Sequence, residues 1–564
     1  MVKALRYDDK PWLSYYDKNV PETICYPKIT LSEVVDEVAE NFPDKVALIS
    51  FGRKIKYEEL KSYVNSFAAA LRDLGVKKGD RVAIHLPNIP QFVISFFGSL
   101  KVGAIVTGCS VLYTKSELMY MLNDSGAETI VTLNLLFDTV TMMRNETKLK
   151  RVIVTGLQDF SEEEMRVPED LRTTFQAPVD VRNAYDFLDL IAKRKSRSLK
   201  TEIDSLESPA VLQYTGGTTG VPKGVVLTHC NLVSSLFQMA AWIHQQKGKE
   251  VLLAGFPLFH MAGLTFCLIS VFHASSQILV LDPRDIATTL ELIDEYEPTF
   301  IANVPTIYMQ FVDHPDIKKY SFNSVKACIS GVAPISPKVI EEFEQITRSR
   351  ILEAYGLTET SSVVTSNPMD GLRKAGSVGI PLPDIEVKLV DIKTGTKEVS
   401  VGAPGELIVR GPQVMKGYWN KPQETMKVLR NGWLYTGDIA SMDKQGYFYI
   451  VDRKKNMINV YADYTYHVYP REVDDVLYAH PAINMAATIG VSDPRNPNSE
   501  SVKAYIVLKP EYDRRVTVDD VKAYCKQRLA PYKVPAIIEF RKKLPTTLIG
   551  KVFKRALREE EKEK

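Results

Sequence analysis

The 564-residue sequence lacks the features that mark several common classes of protein. Its six cysteines form no Cys-x-x-Cys pair, which argues against a zinc site or a disulfide framework and favours reduced thiols. The formal net charge is only +2, so the chain has no overall field that would recruit nucleic acid. Residues 1–18 contain no long apolar run, so we expect no signal peptide and a cytoplasmic location.

Charged residues are also missing from one long stretch, residues 251–281, which contains no Lys, Arg, Asp or Glu. A charge-free run of this length could cross a membrane as a helix. However, Pro257, His260 and His273 interrupt it, and buried parallel strands also read as continuous apolar runs. We therefore predict no transmembrane segment and assign the stretch to a buried core. Its predicted elements are a strand (251–256), a helix (262–272) and a strand (277–281).

Over its first two thirds the sequence alternates between helical and strand patterns. Leu60, Val64, Phe67 and Leu71 recur at helical spacing, and Gly75 follows as the predicted C-cap. Further predicted elements are strands at 81–86, 128–132, 325–330 and 351–355 and a helix at 92–100. This alternation predicts a mostly parallel sheet covered by helices.

The pattern changes near residue 379 and again near residue 453. Short strands separated by glycine turns dominate the β-rich part at about 379–452, while the following residues read as a small α+β unit. We therefore predict an α/β fold with two domains. Residues 1–452 form a large N-terminal domain of parallel-sheet subdomains plus the β-rich part, and residues 453–564 form a small mobile C-terminal domain. The charged helix at 555–564 is expected to fray.

The stretch YTGGTTGVPKG at residues 214–224 has the composition of a loop that wraps an anion. Its glycines let backbone N–H groups approach closely, its threonines add hydroxyl donors, and Lys223 adds a positive charge. It is not a Walker A loop, because in that pattern the lysine directly follows a glycine, whereas here Lys223 follows Pro222. Taken alone, the stretch could equally be a flexible surface loop.

Five further motifs follow this loop in order. They are EAYGLTET (353–360), GELIVRGP (405–412), WLYTGDIA (433–440), IVDRKKNMI (450–458) and LPTTLIGKVFKR (544–555). The ordered set, which covers nearly the whole chain, resembles the adenylate-forming enzymes: acyl-CoA synthetases, adenylation domains of peptide synthetases and luciferase-type ligases. The segments PWLSYYD (11–17) and PREVDDVL (470–477) make the chain most similar to medium- and long-chain fatty acyl-CoA ligases.

The resemblance implies two half-reactions. A carboxylate attacks the α-phosphate of Mg-ATP and releases pyrophosphate, and a thiol, usually that of coenzyme A, then attacks the acyl-adenylate and releases AMP. The implied substrates are a fatty acid, ATP and coenzyme A, with Mg²⁺ as cofactor. Transfer to another acceptor, such as a carrier-protein thiol, and a non-catalytic nucleotide- or acyl-binding protein are the alternatives. The sequence leaves open whether the protein contacts a membrane surface and whether it forms a homodimer.

The resemblance also implies which residues bind ATP. They are Thr215, Gly216, Gly217, Thr218, Thr219, Gly220, Lys223, Gly331, Val332, Ala333, Pro334, Tyr355, Gly356, Asp438 and Arg453. The loop at 215–223 would hold the β- and γ-phosphates. Tyr355 would stack on adenine in a pocket lined by residues 331–334. Asp438 would accept hydrogen bonds from the ribose hydroxyls, with Arg453 beside it.

Four residues are implied to be catalytic. Thr358 would bind the α-phosphate, and Glu359 would hold Mg²⁺. Lys551 would reach the carboxylate and the α-phosphate, and His260 would flank the carboxylate at the mouth of the acyl tunnel. Candidate tunnel walls are Phe237, Trp242 and Phe266, which are equally consistent with an ordinary core.

In the family that the chain resembles, the small domain rotates after adenylation, and the implied hinge is Lys455. The following stretch, residues 459–467 (NVYADYTYH), departs from the family pattern K-V-S-G-F-N. It is longer, lacks the glycine, and has Asn459 in place of the lysine. We hypothesise that this stretch impairs or redirects the second half-reaction. The alternative is a harmless longer hairpin, because insertions in exposed turns are well tolerated.

Overall fold

The computed structural model describes residues 6–161, 183–193, 199, 201–215, 221–461, 465–493, 496–513, 515–546 and 552–563. Within these residues the α-helices are α1 (Leu31–Asn41), α2 (Tyr57–Asp73), α3 (Pro90–Lys101), α4 (Lys115–Ser125), α5 (Phe137–Met142), α6 (Phe187–Ala192), α7 (His229–Trp242), α8 (Met261–Phe272), α9 (Ile286–Tyr296), α10 (Pro305–Asp313), α11 (Pro337–Thr347), α12 (Pro422–Val428), α13 (Pro470–Tyr478), α14 (Val518–Lys526) and α15 (Lys554–Glu563).

The strands up to residue 366 are β1 (Val46–Ser50), β2 (Arg53–Lys56), β3 (Arg81–His85), β4 (Ile105–Gly108), β5 (Thr129–Leu133), β6 (Arg151–Thr155), β7 (Tyr185–Asp186), β8 (Pro209–Thr215), β9 (Lys223–Thr228), β10 (Val251–Ala254), β11 (Ser276–Leu279), β12 (Phe300–Asn303), β13 (Ala327–Ser330), β14 (Ile351–Leu357) and β15 (Ser362–Ser366). The later strands are β16 (Ile380–Pro381), β17 (Glu386–Val390), β18 (Gly405–Arg410), β19 (Gly417–Tyr418), β20 (Leu429–Arg430), β21 (Trp433–Met442), β22 (Phe448–Arg453), β23 (Ile458–Tyr461), β24 (Thr465–Val468), β25 (Ile483–Asp493), β26 (Asn496–Leu508) and β27 (Ile537–Phe540).

Two large sheets dominate the N-terminal part. One has the order β16-β15-β14-β13-β12-β10-β11-β1-β2 and is parallel from β14 to β1. The other has the order β19-β9-β8-β4-β3-β5-β6-β7 and is parallel from β8 to β7. The expected parallel sheets are therefore confirmed, and antiparallel strands are confined to their edges.

The charge-free stretch has the predicted strand–helix–strand order. It forms β10, α8 and β11, and the two strands pair side by side in parallel. Most of its apolar side chains are fully buried in the core that the large sheets and their helices share. Among the described helices none is both long and apolar enough to span a membrane.

The β-rich part is a five-stranded antiparallel sheet of β17, β18, β20, β21 and β22, as the glycine-punctuated strands predicted. It leads through a 3₁₀ turn (Lys454–Asn456) into the small C-terminal domain. That domain has its own core beneath the sheet of β25, β26 and β27, with buried residues such as Ile458, Val473 and Ile506.

The expectation that the last helix frays is wrong for α15. Leu557 is fully buried in a small apolar cluster with residues of β25 and β26, among them Ile489 and Tyr505. Lys554, at the start of the helix, places its Nζ 2.5 Å from Oδ2 of the buried Asp474. A sequence that is mostly charged can still form a docked helix, because a single apolar residue and a buried ion pair fix one face.

Candidate functional site

The glycine- and threonine-rich stretch connects two antiparallel strands. β8 ends at Thr215 and β9 begins at Lys223, and these two residues pair across the hairpin. This differs from a strand–loop–helix phosphate site, in agreement with the sequence analysis. Residues 216–220 lie outside the described part of the chain. The far end of the loop is held by the hydroxyl of Tyr120, which donates to the Pro222 carbonyl at 2.8 Å.

Lys223 stands at the centre of one group of side chains, which we call the Lys223 cluster: Lys223, Tyr418, Glu359 and Glu424. The Nζ atom of Lys223 lies 2.6 Å from Oε2 of Glu424 and 5.0 Å from the centre of the Tyr418 ring. The Tyr418 hydroxyl donates a 2.9 Å hydrogen bond to Oε1 of Glu359. Burial and the neighbouring Glu359 carboxylate raise the pKa of Tyr418, so its hydroxyl keeps the proton that it donates.

A second group, the Asp438 cluster, consists of Asp438, Tyr355 and Arg453. Asp438 on β21 and Arg453 on β22 are register partners, which explains why residues 15 positions apart meet. Arg453 Nε lies 2.9 Å from Oδ1 of Asp438, and the Tyr355 hydroxyl donates to Oδ2 at 2.8 Å. Asp438 is buried, and its charge raises the pKa of Arg453.

One short segment joins the two clusters. Tyr355 and Gly356 lie near the end of β14, which finishes at Leu357, and a 3₁₀ turn (Thr358–Thr360) follows at once. The Glu359 backbone is fixed as well, because its carbonyl accepts from the Met415 N–H at 2.8 Å. The structure thus brings together Tyr355, Glu359, Asp438, Arg453 and Lys223, which the sequence analysis had selected from four separate motifs. Thr358 lies in the same turn, partly buried.

The predicted pocket segment Gly331–Pro334 follows β13, next to β14 in the parallel sheet. A Cβ at Gly331 would lie 3.3 Å from the Ala354 carbonyl, so the segment packs directly beside Tyr355. Val332 has a φ of 72°, a left-handed conformation that β-branched residues rarely adopt. Strained backbone of this kind tends to occur at functional sites, and the carboxyl ends of parallel strands are where ligands bind in such sheets.

His260 precedes α8 and caps it. Its Nδ1 accepts a hydrogen bond from the Ala262 N–H at 3.2 Å. Burial lowers the pKa of His260 to about 4, so the ring is neutral at pH 7. Because Nδ1 is the acceptor, the single proton of the neutral ring lies on Nε2, which leaves one donor for a ligand.

The loop that carries His260 is held by two buried amides that sequence reasoning missed. Asn88 donates to the carbonyls of Ala254 and Phe256 and accepts from the Leu258 N–H at 2.8 Å. Gln213 donates to the Phe259 carbonyl at 2.9 Å. Neither residue lies in one of the ordered motifs, and no sequence signal would have connected them with this loop.

The three candidate tunnel residues have separate environments. Trp242 is fully buried and donates its indole N–H to the Asn367 carbonyl at 3.1 Å. Phe237 packs on Phe272, with ring centres 4.8 Å apart, and Phe266 stacks on Phe256 at 5.8 Å. These contacts are those of an ordinary core.

Two other predicted residues, Lys551 and Lys455, are not among the residues that define the two clusters. Lys551 lies outside the described residues, but its flanks are fixed, because Thr546 and Val552 form an isolated antiparallel bridge. Lys455 is exposed in the 3₁₀ turn between β22 and β23.

In the described part of the chain, one group of three possible metal ligands has its ligand atoms within 4.8 Å of one another. The group is Asp17, His244 and Asp370, and Glu359 is not part of it.

The unusual stretch at 459–467 forms an antiparallel hairpin, in which β23 pairs with β24. Its base is anchored, since the Asn459 N–H donates to Glu500 at 2.9 Å and Oδ1 of Asn459 lies 2.9 Å from Nδ1 of His467. Residues 462–464 at its tip lie outside the described residues. This geometry agrees both with a stretch that impairs or redirects the second half-reaction and with a harmless longer hairpin.

Comparison with known proteins gives consistent results over the full chain. Residues 35–419 match the family described as AMP-binding enzyme, and residues 472–551 match the family described as AMP-binding enzyme C-terminal domain. A protein of Bacillus subtilis (strain 168) named long-chain-fatty-acid–CoA ligase is 40% identical over 562 residues, covering 98% of each chain. A protein of the same name from Escherichia coli O157:H7 is 37% identical over 565 residues, again covering 98% of each.

Solved structures agree with the described architecture. ATP-bound MatB from Rhodopseudomonas palustris is 27% identical, with a TM-score of 0.82 over 94% of this chain and 99% of that chain. The anthranilate CoA ligase AuaEII in complex with anthranoyl-AMP is 24% identical, with a TM-score of 0.83 over 99% of both chains. The second likeness concerns the fold alone.

Proposed function

Since the chain belongs to the AMP-binding enzyme family, we propose that it is a long-chain fatty acid–CoA ligase. In the first half-reaction a fatty acid carboxylate oxygen attacks the α-phosphorus of ATP, and the bond to the β-phosphate oxygen breaks to release pyrophosphate. In the second, the sulfur of coenzyme A attacks the acyl carbon of the acyl-adenylate, and AMP leaves. We also propose a cytoplasmic location, in which the six free cysteines would stay reduced.

The full-length similarity to long-chain-fatty-acid–CoA ligases carries this proposal. The site geometry supports it, because the first half-reaction brings one anion against another and needs fixed positive charge and donors. Lys223 and the loop at 215–223 would take the β- and γ-phosphates. The Asp438 cluster would hold the ribose, with adenine between Tyr355 and the 331–334 segment.

Magnesium fits this arrangement through Glu359. Hard divalent cations prefer carboxylate and hydroxyl oxygens, and Mg²⁺ is usually held by one or two carboxylates together with substrate phosphates. The Tyr418 hydroxyl holds one oxygen of the Glu359 carboxylate by a hydrogen bond, and Glu359 belongs to the same 3₁₀ turn as Thr358. The bound metal would neutralise phosphate charge, while Glu359, Thr358 and Lys223 position the triphosphate.

We propose that His260 orients the fatty acid. Its neutral ring would donate one hydrogen bond from Nε2 to the carboxylate, since Nδ1 is occupied by the helix cap. A neutral donor leaves the carboxylate nucleophilic, whereas an imidazolium would withdraw charge from it.

We further propose that the chain consists of two domains that meet at residue 453 and rotate about Lys455. The separate cores on either side of the 3₁₀ turn support this division. A few residues that absorb a large change in φ and ψ are typical of domain rotation.

Two assays with purified protein test the function. ATP–pyrophosphate exchange over a panel of carboxylic acids should be greatest with long-chain fatty acids, and the same acids should give CoA thioesters. Exchange without thioester formation would favour an acyl-adenylate former with another acceptor. The absence of exchange with every acid would contradict adenylate formation altogether.

We predict that Glu359→Gln slows adenylation and raises the Mg²⁺ concentration needed for half-maximal exchange. The substitution keeps the size of the side chain but removes the charge that a hard cation prefers. Added Mg²⁺ should restore part of the rate. Glu341→Gln on α11, an exposed carboxylate outside the site, is the control. Wild-type activity with wild-type Mg²⁺ dependence would remove Glu359 from the site.

We also predict that replacing residues 459–467 with Lys-Val-Ser-Gly-Phe-Asn speeds the second half-reaction. The glycine would let the backbone approach the pantetheine arm of coenzyme A, and our hypothesis is that the longer, glycine-free stretch hinders this approach. Pyrophosphate exchange should stay unchanged, because no adenylation motif is altered. Single-turnover thioester formation from preformed acyl-adenylate is the measurement. Equal rates in both proteins would leave the hairpin without a role in this step.

A further inference from the structure

The β-sheet brings Lys223 close to a carboxylate that belongs to none of the ordered motifs. β19 pairs with β9 so that Tyr418 lies opposite Val225. Lys223, two residues before Val225, therefore lies on the same side of the sheet as Tyr418. α12 begins four residues after Tyr418, and Glu424 lies in its first turn.

Glu424 forms a close and partly buried ion pair with this lysine. Its Oε2 lies 2.6 Å from Nζ of Lys223, and the two side chains are 31% and 16% exposed, respectively. The hydrogen bond from Lys223 holds the pKa of Glu424 down at about 2, so the carboxylate is charged at pH 7. Its other oxygen is paired with Lys427 on the next turn of α12.

A phosphate that reaches Lys223 must therefore approach an ammonium that already has an anion beside it. Two anions at one lysine repel each other, and the repulsion is stronger where solvent is partly excluded. Lys427 gives the displaced carboxylate a second cation to pair with. When a phosphate binds Lys223, the Glu424 carboxylate can therefore move away from Lys223 and stay paired with Lys427.

We propose that Glu424 is a resident counter-ion of Lys223 that competes with the β- and γ-phosphates of ATP. This inference rests on the proposed function, because it requires Lys223 to bind these phosphates. Its consequence is that Glu424 weakens ATP binding while leaving AMP binding, which involves neither phosphate, unaffected.

Isothermal titration of Mg-ATP and of AMP into the full-length protein without fatty acid tests the proposal. Glu424→Gln should lower the Kd for ATP about fivefold, the size expected for removing one competing, partly exposed ion pair, and should leave the Kd for AMP unchanged. Glu207→Gln is the matched control, because it removes the same charge from an exposed pair with Lys416 beside the same sheet edge.

Measuring the same substitution in a protein that also lacks Lys223 separates local competition at this lysine from a general effect of lost negative charge. In Lys223→Gln protein, adding Glu424→Gln should no longer change the Kd for ATP, because the contested lysine is gone. An unchanged or weaker ATP affinity of the single variant would overturn the proposal, as would equal tightening of ATP and AMP. Wild-type protein that binds no ATP would instead contradict the proposed function itself.

Discussion

Replacing Lys551 with alanine should lower the rate of ATP–pyrophosphate exchange about 10²- to 10³-fold, the usual cost of removing one donor that acts on developing charge. A single ammonium interacts most strongly with the phosphate as the carboxylate oxygen attacks and negative charge accumulates. The binding of ATP and fatty acid should change far less, because many other groups hold these substrates.

The same Lys551→Ala variant should still convert preformed acyl-adenylate into the CoA thioester. The second half-reaction breaks the bond between the acyl carbon and the AMP oxygen, so a lysine withdrawn by domain rotation would not be needed. Lys543→Ala, which removes an exposed lysine from the same part of the chain, should leave both reactions unchanged. Unaltered exchange in Lys551→Ala would show that another group supplies the charge.

Replacing Gly356 with alanine should cost about 4 kcal/mol or more of the free energy of unfolding, which is exceptional for a single substitution. An added Cβ would lie 1.6 Å from the Ser362 carbonyl oxygen and 2.5 Å from its carbon. Both are backbone atoms of β15, held by pairing with β14, so neither can move away without breaking the bulge at Tyr355 and Gly356. Unfolding by urea, followed by tryptophan fluorescence, measures the loss.

Gly331→Ala is the matched control for this prediction. Gly331 directly follows β13, the strand paired with β14, but its added Cβ would come no closer than 3.3 Å to the Ala354 carbonyl, so we expect a cost of about 1 kcal/mol or less. In Gly356→Ala protein that remains folded, the displaced turn should also carry Glu359 away from Tyr418 and slow adenylation. Equal stability of the two variants would contradict the packing described for β14 and β15.

Local patterns in the sequence determined many of the helices and strands of this protein. The period of the apolar residues predicted α2, and the interruptions at Pro257 and His273 divided the charge-free stretch into β10, α8 and β11. The glycine turns after residue 379 predicted the antiparallel sheet. These features depend on residues close together in the chain, which is why they can be read without the fold. The ordered motifs, through the family resemblance that they carry, likewise selected Glu359, Asp438 and Lys223 as candidate site residues before any contact was known.

Tertiary structure alone decided which partners these residues have. Tyr418 reaches Glu359 because β19 pairs with β9, and Glu424 reaches Lys223 because α12 follows that pairing. Asn88 holds the His260 loop across a separation of 170 residues, and Leu557 docks a helix whose composition suggested fraying. Such contacts depend on the register and packing of distant segments, which no local pattern encodes.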